Sequence, residues 1–155
     1  SLCLRWPRHG QGDMDRLCRR WGGHLCAYLA VVRGNIKTDS GVIETQISRD
    51  KDDRKKMAVV KEGGRNAITE YEVVERFGKY TIVKCKLKTG RTHQIRVHMA
   101  YIGCPLFNDN LYGTPGPQSR HALHAFKLRF IHPVSDTPVE ITRTLPEDLR
   151  RIIYY

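Results

Sequence analysis

AITEYEVVERFGKYTIVKCKLKTG, residues 67–90, is the stretch that decides the architecture. AITEYEVVERF and KYTIVKCKLK are both rich in β-branched and aromatic residues, and Gly78-Lys79 between them supplies a tight turn, so the segment reads as an antiparallel hairpin. In its second half Thr81, Val83, Cys85 and Leu87 fall on one side at period two, and Tyr80, Ile82, Lys84, Lys86 and Lys88 on the other. The first set is a core face. The lysine ladder reads as a solvated sheet face.

Working outward, Thr89-Gly90 ends the hairpin and RTHQIRVHMAYIG (Arg91–Gly103) reads as a helix stopped by Gly103 and Pro105. Ile95, Met99 and Ile102 form its buried stripe. Asn108–Arg120 reads as loop, His121–Pro133 and Pro138–Leu145 as strands, and the segment after Pro146 as a short terminal helix. Upstream, Leu25–Gly34 is an apolar strand, and Gly41–Ser48 alternates Val42, Glu44 and Gln46 against Ile43, Thr45 and Ile47. Between them and the hairpin, Arg49–Arg65 is a charged connection with seven basic and four acidic residues. It reads as a solvated loop that doubles as a phosphate-contacting arm. Residues 1–24 carry neither helical nor strand periodicity. The expectation is an irregular segment over 1–24 and one α+β domain over 25–155, with a mostly antiparallel, mixed sheet and a central helix.

Composition narrows function. The 155 residues hold 27 Lys and Arg against 16 Asp and Glu, a net charge of +11, which favours an acidic partner such as nucleic acid. No apolar run is long enough to span a membrane. Five cysteines, none at CxxC spacing, argue for reduced thiols rather than a disulfide framework or zinc ribbon.

The densest chemistry lies in TGRTHQIRVHM. Gly90, the first-turn N–H groups and Arg91 form a candidate anion site. His93 and Arg96, three apart, share a helical face. A guanidinium at Arg96, beside the apolar stripe, demands a carboxylate or phosphate. His93 and His98 are five apart, about 140° around a helix, so they cannot chelate one metal ion. Neither GxxxxGK[ST] nor GxSxG is present.

LKTGRTHQIRVHMAYIGCPLFNDNLYG (Leu87–Gly113) resembles the signature of the RluA-like RNA pseudouridine synthases, L-x-T-G-R-T/S-H-Q-I/L-R-V-H followed by G-x-P-x-x-G-D-x-x-Y-G. AYLAVVRG, DRKKMAVV, NAITEYEVVE and RHALHAFKLRFIHP resemble flanking segments of that family. The resemblance implies isomerisation of uridine to pseudouridine in structured ribosomal or transfer RNA, without metal or organic cofactor, by a cytoplasmic, monomeric protein. It implies an aspartate nucleophile, a tyrosine over the base at Tyr28 and an arginine paired with the aspartate at Arg96. Arg91, Thr92, His93, Gln94, Arg54, Lys55, Lys56 and Leu123 are the expected RNA contacts.

Two departures stand out. The family's H-R-L-D-x-x-T-S-G aspartate is absent from this sequence, and Asp13 and Asp15 lie in an unrelated context. The chain therefore reads as a partial, N-terminally truncated catalytic domain, inactive as given; the alternative is a non-catalytic RNA-binding module on the same fold. Arg96, expected to face the main cleft, would then lack its partner and recruit a solvent anion or turn outward. The second departure is Asn108, where the family has Gly before Asp; Asn tolerates the left-handed backbone such a turn needs.

Overall fold

The computed structural model describes residues 25–114, 116, 120–131, 134–144 and 146–154; the irregular segment expected over 1–24 lies outside them. Seven strands form one sheet: β1 (Leu25–Arg33), β2 (Ser40–Arg49), β3 (Met57–Val60), β4 (Arg65–Phe77), β5 (Tyr80–Leu87), β6 (Leu123–Ile131) and β7 (Pro138–Thr142). Their order is β3-β2-β4-β5-β1-β6-β7, and every described pair is antiparallel. The α+β class with a largely antiparallel sheet holds. The hairpin is β4–β5, turning at Gly78 with φ 60°. Sequence reading missed β3, hidden inside the charged connection. Four residues are too few to show periodicity, and MAVV becomes a strand by pairing with Gln46–Arg49 of β2.

β1 sits between β5 and β6, which sets Tyr28 opposite Cys85 on one side and Ala125 on the other. Tyr28, Ala30 and Val32 share a face with Cys85, Val83 and Thr81, all buried. Ile95 and Met99 of helix α1 (Gln94–Tyr101) pack into the same core with Leu106 and Leu123. On the opposite face Lys84 and Lys86 lie across from Glu72 and Glu70, and Lys88 Nζ approaches Glu70 at 3.6 Å. On the face expected to be solvated, Lys88 is exposed and Lys84 and Lys86 are half-buried, while Ile82 is buried. Helix α2 (Glu147–Tyr154) anchors through Leu149 against Val31 and Ala122, with Phe77, Tyr80 and Phe107 beside them. No helix among the described residues is long and apolar enough to cross a membrane.

α1 begins at Gln94, three residues later than the sequence pattern implies. His93 has φ 53° and ψ 24°, a left-handed conformation that no helix interior accepts. Its end agrees with expectation: Gly103 has φ 82°, and the Cys104 N–H returns to the Met99 carbonyl at 2.9 Å.

Candidate active site

Arg96 and Asp109 form the centre. Arg96 Nε donates to Asp109 Oδ2 at 2.9 Å, and Nη2 donates to Oδ1 at 2.7 Å, a bidentate ion pair. The carboxylate is fully buried and the arginine side chain is 11% exposed. Burial alone would raise the Asp109 pKa. The Arg96 hydrogen bond and charge, with the N–H groups of Tyr112 and Leu111, outweigh it and hold the carboxyl below its ordinary range. This corrects the expectation that Arg96 lacks a partner: it neither turns outward nor needs a solvent anion to balance its charge.

The turn that delivers Asp109 depends on Asn108, whose φ of 61° confirms the left-handed backbone expected of it. Asn108 is buried, and among the described residues neither of its amide atoms has a hydrogen-bond partner. Gly116 lies directly against it, where any Cβ would collide with its Oδ1. Three residues beyond Asp109, the Tyr112 ring stands 5.1 Å from the Arg96 guanidinium. Its hydroxyl meets His93 Nδ1 at 2.8 Å and accepts the Met57 N–H at 2.8 Å. His93 and Arg96 therefore do share a face, the one turned toward Tyr112. Burial first, then the charge of Arg96, lowers the His93 pKa. His121 lies within the field of Arg96, Asp109 and His93, and burial pushes its pKa down to about 4.

The other expected residues divide. Tyr28, 1% exposed, is packed in the core with Ile95 and Met99, and Leu123 of the neighbouring strand belongs to the same cluster. Arg54 and Lys55 are exposed and Lys56 half-buried on the 50–56 arm, a tight loop in which Asp50 Oδ1 accepts the N–H groups of Asp52 and Asp53. Thr92 is exposed, and Arg91 Nε donates to the Asn66 carbonyl.

Gln94 is a correction. It is fully buried, and its amide is spent inside the protein: Oε1 accepts the Arg91 N–H and the Thr89 hydroxyl, while Nε2 donates to the Ile68 carbonyl and Thr69 Oγ1. It clamps α1 to β4 as part of the framework. The same bond removes the Arg91 N–H from the anion site expected at the helix start. His98 points away from His93, between Thr45 and Thr69, and burial lowers its pKa to about 4. Among the described residues no three His, Cys, Asp or Glu side chains gather as metal ligands.

Sequence reasoning missed three residues. Asp109 and Tyr112 stood in the quoted NDNLYG stretch, so a signal existed, but their contact with Arg96 needs the turn geometry. His121 carried none.

A seven-stranded antiparallel sheet with a buried tyrosine on an inner strand, and an arginine of the covering helix held by a carboxylate from the turn beyond it, define the fold and the site. Residues 23–101, just over half of the chain, match the family of RNA pseudouridylate synthases, and the chain belongs to that family, within its RluA-like group. It is 49% identical over 131 residues to the uncharacterized RNA pseudouridine synthase YlyB of Bacillus subtilis (strain 168), covering 81% of this chain and 42% of that protein. It is 42% identical over 139 residues to ribosomal large subunit pseudouridine synthase D of Neisseria meningitidis serogroup A, covering 81% and 37%. The chain thus spans about two fifths of the length of these relatives. Among solved structures, human RNA Pseudouridylate Synthase Domain Containing 1 matches with a TM-score of 0.75 and 29% identity, over 88% of this chain and 62% of that one. Human RNA Pseudouridylate Synthase Domain Containing 4, at 19% identity and a TM-score of 0.69, shares the fold.

Proposed function

We propose that this chain supplies the Tyr28 strand and the Arg96 helix of an enzyme that isomerises uridine to pseudouridine in structured RNA. The observation that carries this reading is the state of Arg96. Its Nε edge is spent on Asp109, while Nη1 makes no bond among the described residues. A guanidinium offers a second fork at Nη1 and Nη2, and a second carboxylate fits there. That is the place of the aspartate nucleophile the resemblance implies; the cation keeps the nucleophile ionised and oriented. Tyr28 lies beneath the base, and Leu123 on the adjacent strand adds apolar lining. Uracil leaves the ribose, rotates and rejoins through C5, and the C5 proton is then removed, a transfer the Tyr28 hydroxyl is suited to assist.

Arg54, Lys55, Lys56, Arg91, Thr92 and His93 take the RNA backbone; Gln94 serves as framework. Relatives named for the ribosomal large subunit favour ribosomal RNA over transfer RNA as substrate. Action as a monomer, in the cytoplasm and without metal or organic cofactor, is carried over from the resemblance. The unpaired thiols of Cys85 and Cys104 suit a reducing compartment.

A second reading rests on the sequence itself. With no HRLD motif in the chain as given, the chain alone binds RNA without turnover. Both readings are tested by incubating the purified chain with ribosomal and transfer RNA, counting pseudouridine by mass spectrometry and measuring affinity against salt. Binding is expected to weaken with a log–log slope of several units, roughly one for each neutralised phosphate. A flat salt response overturns the RNA reading. Turnover by the chain alone, abolished by Tyr28→Phe or Arg96→Ala, overturns the second reading and directs the search for the nucleophile to Asp13 and Asp15.

A further inference from the structure

Tyr112 stands where three parts of the chain meet. Its hydroxyl accepts the N–H of Met57, the first residue of β3, where the basic arm rejoins the sheet. The same hydroxyl meets His93 Nδ1 at 2.8 Å, at the N-cap of α1. Met57 donates to the oxygen, and the direction of the bond between the hydroxyl and Nδ1 follows the imidazole tautomer. The Tyr112 ring lies over Arg96, and its backbone N–H donates to Asp109 Oδ1 at 3.2 Å. One residue thus touches the root of the arm, the start of the helix, and both members of the central ion pair.

The arm's own bonds are local. Asp50 N–H donates to the Lys56 carbonyl, Lys56 N–H to the Asp53 carbonyl, and Arg49 Nη1 to the Arg54 carbonyl. It hangs from an edge strand of four residues, and Met57 packs in one small cluster with Val97 and Tyr112. Met57 is held by its pairing with Arg49 of β2 and by the Tyr112 hydroxyl, and the second of these ties the arm to the Arg96 site.

We propose that Tyr112 is a positioning residue that couples the basic arm to Arg96, so that capture of RNA phosphates on the arm and alignment of the free guanidinium fork are one event. This rests on the RNA reading above and adds the element that links backbone binding to the reacting base. Tyr112→Phe cuts the tie to the arm and to His93 but keeps the ring over Arg96; Tyr112→Leu removes both.

Amide exchange, trypsin cleavage and the Arg96 resonance need no RNA. In Tyr112→Phe, amide exchange at Met57 and trypsin cleavage within residues 54–56 rise about tenfold or more, while the thermal midpoint stays within a few degrees. In Tyr112→Leu alone, the Arg96 Nε–H resonance also shifts, because the ring current over it is lost. A further measurement is a double-mutant cycle of Tyr112→Phe with Lys55→Ala/Lys56→Ala, read as affinity for a uridine-containing ribosomal RNA fragment. Neutralising the arm costs the parent chain several-fold and costs Tyr112→Phe far less. Additive losses, or unchanged Met57 exchange in Tyr112→Phe, overturn the coupling. A parent chain that binds no RNA overturns the reading under Proposed function instead, and the exchange and resonance measurements still decide whether Tyr112 ties the arm to Arg96.

Discussion

At Arg96 the balance of charge and burial is settled by one contact. Moving a guanidinium out of water is costly, and a bidentate carboxylate at 2.7 and 2.9 Å offsets that cost. Removing one partner leaves a buried charge uncompensated, so Asp109→Ala is expected to destabilise the fold by about 3–5 kcal/mol in urea unfolding. A loss below about 1 kcal/mol would mean that water reaches Arg96 freely. The neighbouring residue predicts the opposite sign. Asn108 holds a left-handed backbone with a buried amide that has no hydrogen-bond partner among the described residues. Glycine accepts that backbone without strain and removes the unsatisfied amide, so Asn108→Gly is expected to stabilise by roughly 1 kcal/mol. A drop in thermal midpoint for this variant would show that the amide does have a partner in solution.

At the scale of the element, α1 is an eight-residue helix too short to persist by propensity alone. Gln94 fixes its start: Thr89, Arg91, Ile68 and Thr69 all converge on one side-chain amide. Gln94→Ala strands several buried donors and acceptors and is expected to cost about 2–4 kcal/mol, counting roughly 1–3 for each group left unsatisfied and partial rescue by water. Exchange protection should fall first in α1 and in the adjoining end of β4. Uniform loss across the sheet would show that Gln94 supports the whole core rather than the helix start. The helical pattern of Arg91–Gly103 was legible because Ile95 and Met99 recur at the right spacing. Its first turn was not, because the left-handed His93 is stabilised by Tyr112, nineteen positions along the chain.

At the scale of the molecule, imidazoles whose pKa burial lowers set the response to acid, and the buried His98 and half-buried His121 are shifted furthest. His98 and His121 both have folded pKa values of about 4, below the ordinary 6.5, because burial disfavours their charged forms. Each binds its proton more readily unfolded than folded. Stability is therefore full above about pH 6.5, falls as pH drops from there toward 4, and stops falling on their account below 4. Asp109, held below the ordinary carboxylate range by Arg96, adds a further loss at still lower pH. Urea midpoints measured from pH 8 to pH 4 check this, and His98→Gln should flatten part of the decline. Stability that rises on going from pH 7 to pH 5 would contradict it.

The amino-acid sequence by itself determined the β4–β5 hairpin, the place of Tyr28 on an apolar strand, the helix bearing Arg96 and the family to which the chain belongs. Each of these is a local pattern of side chains at period two or 3.6, or a contiguous motif. Tertiary structure alone decided the strand order, with β1 inserted between β5 and β6, and it decided which polar groups meet. Asp109 reaches Arg96 across a helix stop and a left-handed turn; Gln94 turns inward because Ile68 and Thr69 are waiting on β4; Tyr112 closes on Met57 from fifty-five positions away. Such pairings depend on where separate elements are packed, and the residue types that make them are equally at home in solvent, so no local pattern distinguishes the buried pair from the exposed one.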